Sequence, residues 1–163
     1  MATETLPIRK SESIFDEIQK MNDRIMRRAY DIFTGNGGIF GKDLDNWLAA
    51  ERELLWKPPI ELREEDDEFL VNIAVPGIEA KDLEIEVTTE DLLVKGDAHH
   101  EHKEEKGKVH TCEFESGRLF RTIRFPKKID PDKVKTEFKN GILRIKVPIA
   151  QEQRAKKVRI EAA

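Results

Sequence analysis

The chain has 163 residues, enough for one domain of about 100 residues with long flanks. Charged and hydrophobic residues each make up 38%, so a core is possible but lean. A net charge of −4 with both signs interspersed excludes the dominant basic face that nucleic acid would require.

One cysteine, Cys112, excludes an internal disulfide framework and fits a reducing compartment. The opening "MATETLPIRKSESIF" carries no apolar export segment, and no stretch has the length of a membrane span. The expectation is a soluble, cytoplasmic protein without integral membrane association.

Residues 1–57 read as a partly helical arm. Ser11 or Ser13 is placed to cap a helix whose apolar positions are Ile14, Phe15, Ile18, Met21, Ile25 and Met26. Four glycines between Gly35 and Gly41 break it. A second helix is predicted over 43–56, with Leu44, Trp47, Leu48, Leu54 and Leu55 as its apolar members. Both are short for isolated helices and need a surface on which to bury their stripes. A neighbouring subunit is the expected surface.

Residues 58–148 change period. "FLVNIAV" puts Phe69, Val71, Ile73 and Val75 on one face, and "LEIEV" does so with Leu83, Ile85 and Val87. A shorter strand is predicted at Leu92–Val94. "RLFRTIRF" aligns Leu119, Ile123 and Phe125, with Arg121 sharing their side. "VKTEF" aligns Val134, Thr136 and Phe138, and "ILRIKV" aligns Leu143, Ile145 and Val147. About six short strands with intervening turns, and no helical crossovers, predict an all-β sandwich. The polar interval 97–110 is too long for a hairpin turn. Residues 149–163 form a polar tail that contains the isolated "VRI" of Val158 and Ile160.

The search for chemistry finds none. His99, His100, His102 and His110 cluster around the long interval, but no CxxC or HExxH accompanies them, so no metal site is assigned. The carboxylate runs "REEDDEF" and "HKEEK" lack signs of the enclosure that separates catalytic proton affinities. Cys112 and His110 share one side of any strand there, without a third group to orient them. Glycine-rich nucleotide loops and a GxSxG elbow are absent from the sequence. No enzyme activity and no cofactor are expected.

At this point a family becomes recognisable. "FKNGILRIKVP" resembles the Ala-x-x-x-Asn-Gly-x-Leu-x-Ile/Val-x-x-Pro signature of the small heat-shock proteins, the Hsp20 or α-crystallin-domain family. Asn140, Gly141, Leu143, Ile145 and Pro148 match, and Thr136 replaces the alanine. "VNIAVPGIEAKDLEIEV" is similar to the family's strand, Pro-Gly turn and strand. "GRLFRTIRFPKKIDPDKV" keeps Gly117, Arg121 and Pro126, and Val158-Arg159-Ile160 is a variant of the family's Ile-x-Ile tail motif.

The resemblance implies an immunoglobulin-like β-sandwich over 58–148 and an ATP-independent holdase chaperone that captures partly unfolded proteins under stress. It implies dimers of the bacterial, archaeal and plant type that build larger homo-oligomers and hand clients to ATP-dependent chaperones. Val109, His110 and Arg121 would belong to the swapped dimer contact. Val158 and Ile160 would anchor between a neighbour's two sheets, at Leu83, Ile85, Val87, Val134, Thr136 and Phe138. Ile14, Phe15, Ile18, Met21, Ile25, Met26, Trp47, Leu54 and Leu55 would take clients. The alternative is a co-chaperone adaptor of the same fold that binds one specific protein.

Overall fold

The computed structural model describes residues 3–98, 106–114, 117–156 and 158–160. Period-two alternation sorts the central strands into two facing sheets. One contains β3 (Ile60–Glu65), β4 (Glu68–Ala74), β8 (Lys135–Lys139) and β9 (Ile142–Pro148), in the order β3-β4-β9-β8. The other contains β1 (Ile8–Lys10), β2 (Leu55–Trp56), β5 (Leu83–Val87), β6 (Asp91–Ala98) and β7 (Gly117–Arg124), in the order β1-β5-β6-β7-β2. The central pairings are antiparallel, whereas β1 joins β5 and β2 joins β7 in parallel.

The inward residues meet between the sheets. Phe69, Val71 and Ile73 of β4 and Leu143, Ile145 and Val147 of β9 are at most 1% exposed. They share one cluster with Leu83, Ile85, Val87, Leu92, Val94, Leu119 and Ile123 of the other sheet. Phe69 and Phe125 stack across the interior with ring centroids 5.2 Å apart. Burial of this order, at about 25 cal/mol per Å² of apolar surface, is what holds so lean a sandwich together.

The "NG" of the family signature is a two-residue hairpin between β8 and β9, with Lys139 paired to Ile142. Asn140 and Gly141 both adopt positive φ, 53° and 72°, as the hairpin turn that matches strand twist demands. A Cβ on residue 141 would stand 3.2 Å from Pro76 Cα. The Val75 N–H donates to the Gly141 carbonyl at 2.8 Å, so the Pro-Gly turn and the hairpin abut.

Several expectations are corrected. The strand at Leu92–Val94 runs on as Asp91–Ala98, because all eight residues pair with β7. The flank contributes two sheet strands, β1 and β2, which are too short to show a period. β3 also escaped the alternation test, since its residues after Ile60 are all exposed.

The arm forms α1 (Phe15–Gly35) and α2 (Asp43–Leu54). The expected serine cap is not formed: Ile14 is the N-cap and has no side-chain cap bond, although the Phe15 N–H donates to Ser13 Oγ at 3.0 Å just before the helix. The buried stripe of α1 is narrower than the six residues anticipated: Ile14, Met21 and Ile25 are buried and Ile18 is half-buried. Phe15 is 65% and Met26 56% exposed, since each lies one residue round the helix from the stripe. In α2, Asn46 and Ala50 face inward and Leu44 and Leu48 outward. That helix ends at Leu54, not residue 56, because Leu55 turns extended and pairs beside β7. The arm was expected to pack on a neighbour; here it packs on its own domain. Ile14, Met21, Ile25 and Ala50 cluster with Leu93 and Phe120, which project from the outer side of β6 and β7.

Candidate functional site

A sandwich of two sheets has a seam wherever two edge strands face each other, and an open seam exposes backbone and core together. Here the seam of interest lies between β5 and β8. Its β5 side supplies Leu83, Ile85 and Val87, all buried. On the β8 side Thr136 is buried, whereas Val134 and Phe138 are half-buried and pack on the core cluster.

The N-terminal segment of the same chain closes this seam. Glu4 and Phe138 exchange two backbone hydrogen bonds, with Glu4 N–H donating at 3.1 Å and Phe138 N–H at 2.8 Å. Leu6 then enters the core at 3% exposure. The Leu6 N–H donates to Thr136 Oγ1 at 2.9 Å, and the Thr136 hydroxyl donates back to the Leu6 carbonyl at 2.8 Å. Ile8, Arg9 and Lys10 pair with Ile85, Glu86 and Val87, and the Ser11 N–H donates to the Val87 carbonyl at 2.9 Å. Lys10 ends the segment with an ion pair to Asp132.

Sequence reasoning missed Leu6 and Ile8. The signal existed, because Leu6-Pro7-Ile8 has the same aliphatic-x-aliphatic spacing as Val158-Arg159-Ile160. Those tail residues are the most bare large hydrophobics among the described residues apart from Phe40, Val158 at 83% and Ile160 at 93% exposure.

The dimer residues lie apart. Val109 and His110 sit in the irregular stretch 106–114, where Val109 is 46% exposed. Arg121 pairs in register with Val94, on the core side as expected, and its buried Nε has no hydrogen-bond partner among the described residues. Cys112 is exposed. Three of the four histidines, His99, His100 and His102, lie outside the described residues. Among the described residues no group of three or more His, Cys, Asp or Glu could hold a metal, and no helix is long and apolar enough to cross a membrane.

Residues 61–161 match the Hsp20/alpha crystallin family, which is well over half the chain. The chain belongs to that family. Heat shock protein 16 of Schizosaccharomyces pombe is 30% identical over 102 residues, 61% of this chain and 71% of that one. Spore protein SP21 of Stigmatella aurantiaca is 27% identical over 106 residues, 65% of this chain and 63% of that protein. Among solved structures, heat shock protein 16.0 from S. pombe superposes with a TM-score of 0.56 at 29% identity, covering 65% of this chain and 99% of that one. HSP18.5 from E. histolytica gives 0.52 at 26% identity, covering 64% and 99%.

A second similarity falls on the arm. Residues 21–55 match a family described as a protein of unknown function (DUF2934). This span covers most of α1 and all of α2. The two helices are tied by Arg28 Nε to Glu53 Oε2 at 2.6 Å. At the start of α1, Glu17 Oε2 meets Lys95 Nζ at 3.0 Å, where Lys95 has only 9% of its side chain exposed. The Lys95 ammonium, and after it Lys20, holds the Glu17 carboxyl below the usual glutamate range. Of the residues expected to take clients, Ile14, Met21 and Ile25 are covered, Ile18, Trp47, Leu54 and Leu55 are half-buried, and Phe15 and Met26 are open.

Proposed function

We propose that this member of the family is an ATP-independent holdase, an immunoglobulin-like sandwich whose arm captures partly unfolded proteins in the cytoplasm and passes them to ATP-dependent chaperones. The observation that carries this is the pairing of a non-catalytic sandwich with apolar side chains held in water. Phe40 is 86%, Leu44 69%, Phe15 65%, Tyr30 64% and Met26 56% exposed along the helices and their connection. Exposed apolar side chains spread along the arm offer contacts to other proteins, and methionine suits clients without fixed shape. Release of α1 from the sheet would add Ile14, Ile18, Met21 and Ile25 to them.

Assembly rests on two contacts. The outer edge of β3 is unpaired among the described residues, which supports its pairing with residues 106–114 of a partner, carrying Val109 and His110. Val158 and Ile160 are proposed to insert into a neighbour's β5–β8 seam, with Arg159 turned to water as alternation requires. Burial of both is worth roughly 3–5 kcal/mol gross, and ordering the tail offsets much of it. The contact is weak singly and effective in multiples.

The test is light scattering of a heat-aggregating client with rising amounts of this protein and no nucleotide. Suppression near one subunit per client, indifferent to ATP, is the expected result. Full aggregation at large excess would leave the adaptor reading, with one protein partner bound at fixed stoichiometry.

A further inference from the structure

We infer that residues 4–10 are a built-in competitor for the β5–β8 seam, so that a neighbour's tail docks only when the subunit's own Leu6-Pro7-Ile8 segment leaves. The inference rests on the tail docking proposed above, and the two can fail separately.

The geometry leaves no room for both occupants. A strand edge has one row of donors and acceptors, and the free row of β5 is used by Ile8, Arg9, Lys10 and Ser11. The Thr136 hydroxyl has one proton to give, which goes to the Leu6 carbonyl while its oxygen accepts from the Leu6 N–H. The apolar space is filled as well, because Leu6 belongs to the same core cluster as Leu83, Ile85 and Val87. An incoming Val-x-Ile strand therefore replaces this segment and cannot stack upon it.

The two segments are matched in kind but differ in ways that make the exchange adjustable. Both have two aliphatic residues at alternate positions, which an extended strand would turn to one side with the residue between them turned to the other. The N-terminal one carries Pro7 at that middle position. Proline has no N–H to give to a ladder, so it forgoes a donor that Arg159 of the tail retains. Against this, the N-terminal segment is tethered, and a short tether acts as a millimolar effective concentration. Basic residues accompany both: Lys10 reaches Asp132 in the present arrangement, and Lys156 and Arg159 flank or interrupt the tail motif. The tethered segment wins in a dilute subunit, and tails win when many subunits present them together. Such an arrangement makes assembly steep in subunit concentration and keeps the core edge covered in free subunits.

The experiment uses the full chain carrying Val158→Ala and Ile160→Ala, so that its own tails do not compete, and a fluorescent peptide of residues 154–163. Binding is read by anisotropy with and without Leu6→Asp and Ile8→Asp. The expected result is an affinity at least about ten-fold higher when the N-terminal segment carries the aspartates, since the apparent constant scales with the fraction of open seams. Equal affinity in both chains would overturn the competition and leave tail docking standing. Binding to neither would overturn both readings. A second measurement needs no change in the seam segment: saturating peptide should speed hydrogen exchange at the Leu6 amide, which loses its Thr136 partner when the segment leaves. Unaltered exchange under bound peptide would sink the idea, even if the aspartate variant failed to fold.

Discussion

Two short segments of this chain have the same pattern and opposite fates. Leu6-Pro7-Ile8 lies in the seam between two sheets, with Leu6 at 3% exposure, whereas Val158-Arg159-Ile160 stands in water at 83% and 93% for its two aliphatic residues. Neither has enough residues to form structure alone. What separates them is supply of edges: a strand of three residues is stable only where a ladder and an apolar floor already exist. The described seam offers one such place, and the N-terminal segment holds it.

The largest effect should come from the bare segment. Val158→Ala with Ile160→Ala should convert large assemblies into mainly dimers, read as mass by light scattering. The melting temperature of the dimer should hardly move, because these side chains are buried in no part of their own subunit. High-mass particles surviving this change would show that the tail is not the linker.

The covered segment should behave in the opposite manner. Leu6→Ala with Ile8→Ala should cost about 3–5 kcal/mol of domain stability, from one buried and one half-buried aliphatic residue. On a domain of this size that is a fall on the order of 10–20 °C in Tm. A shift within error would mean the segment is only loosely held. Thr136→Val should cost less, about 2 kcal/mol, by orphaning the Leu6 N–H and carbonyl together.

Smaller effects bear on the arm that follows the seam segment. Glu17→Gln leaves the nearly buried Lys95 with Glu84 as its one carboxylate among the described residues, 3.5 Å away and 68% exposed, and should cost about 1–2 kcal/mol. The pH dependence has a definite sign. Because the folded carboxyl sits below its ordinary value of 4.5, its contribution is complete above that value and is lost as acid titrates through the lowered one. The Gln variant should therefore show a flatter acid limb in a stability–pH profile. An unchanged limb would show that this pair does not fasten α1. Lys10→Glu, which reverses an exposed ion pair with Asp132, should cost under about 1 kcal/mol and diminish further in salt.

Alternation and turn chemistry made most of the sandwich legible beforehand. Inward residues of β4, β5, β7 and β9 were assigned correctly because each strand has one face on the core, and period two is then enforced by burial. The Asn140-Gly141 turn was equally plain, since few sequences tolerate two positive φ values in succession. The helices were visible but their faces were misjudged. Phe15 and Met26 are as apolar as the residues beside them, and only contact with Leu93 and Phe120 decides which row turns inward.

What the sequence determined by itself is therefore the class, the strand faces and the family, all of which follow from patterns local in the chain. The tertiary structure alone decided that β1 and β2 exist, that the arm covers its own sheet, and that Leu6 fills the seam. Those outcomes depend on contacts across long stretches of sequence, from Ile8 to Ile85, from Leu55 to Arg118, from the arm's Ile14 and Ile25 to Leu93 and Phe120, and from Leu6 to Thr136. No local periodicity encodes a contact of that kind. It is fixed by which edges and apolar floors the rest of the fold leaves open, and by which segment is tethered near enough to take them.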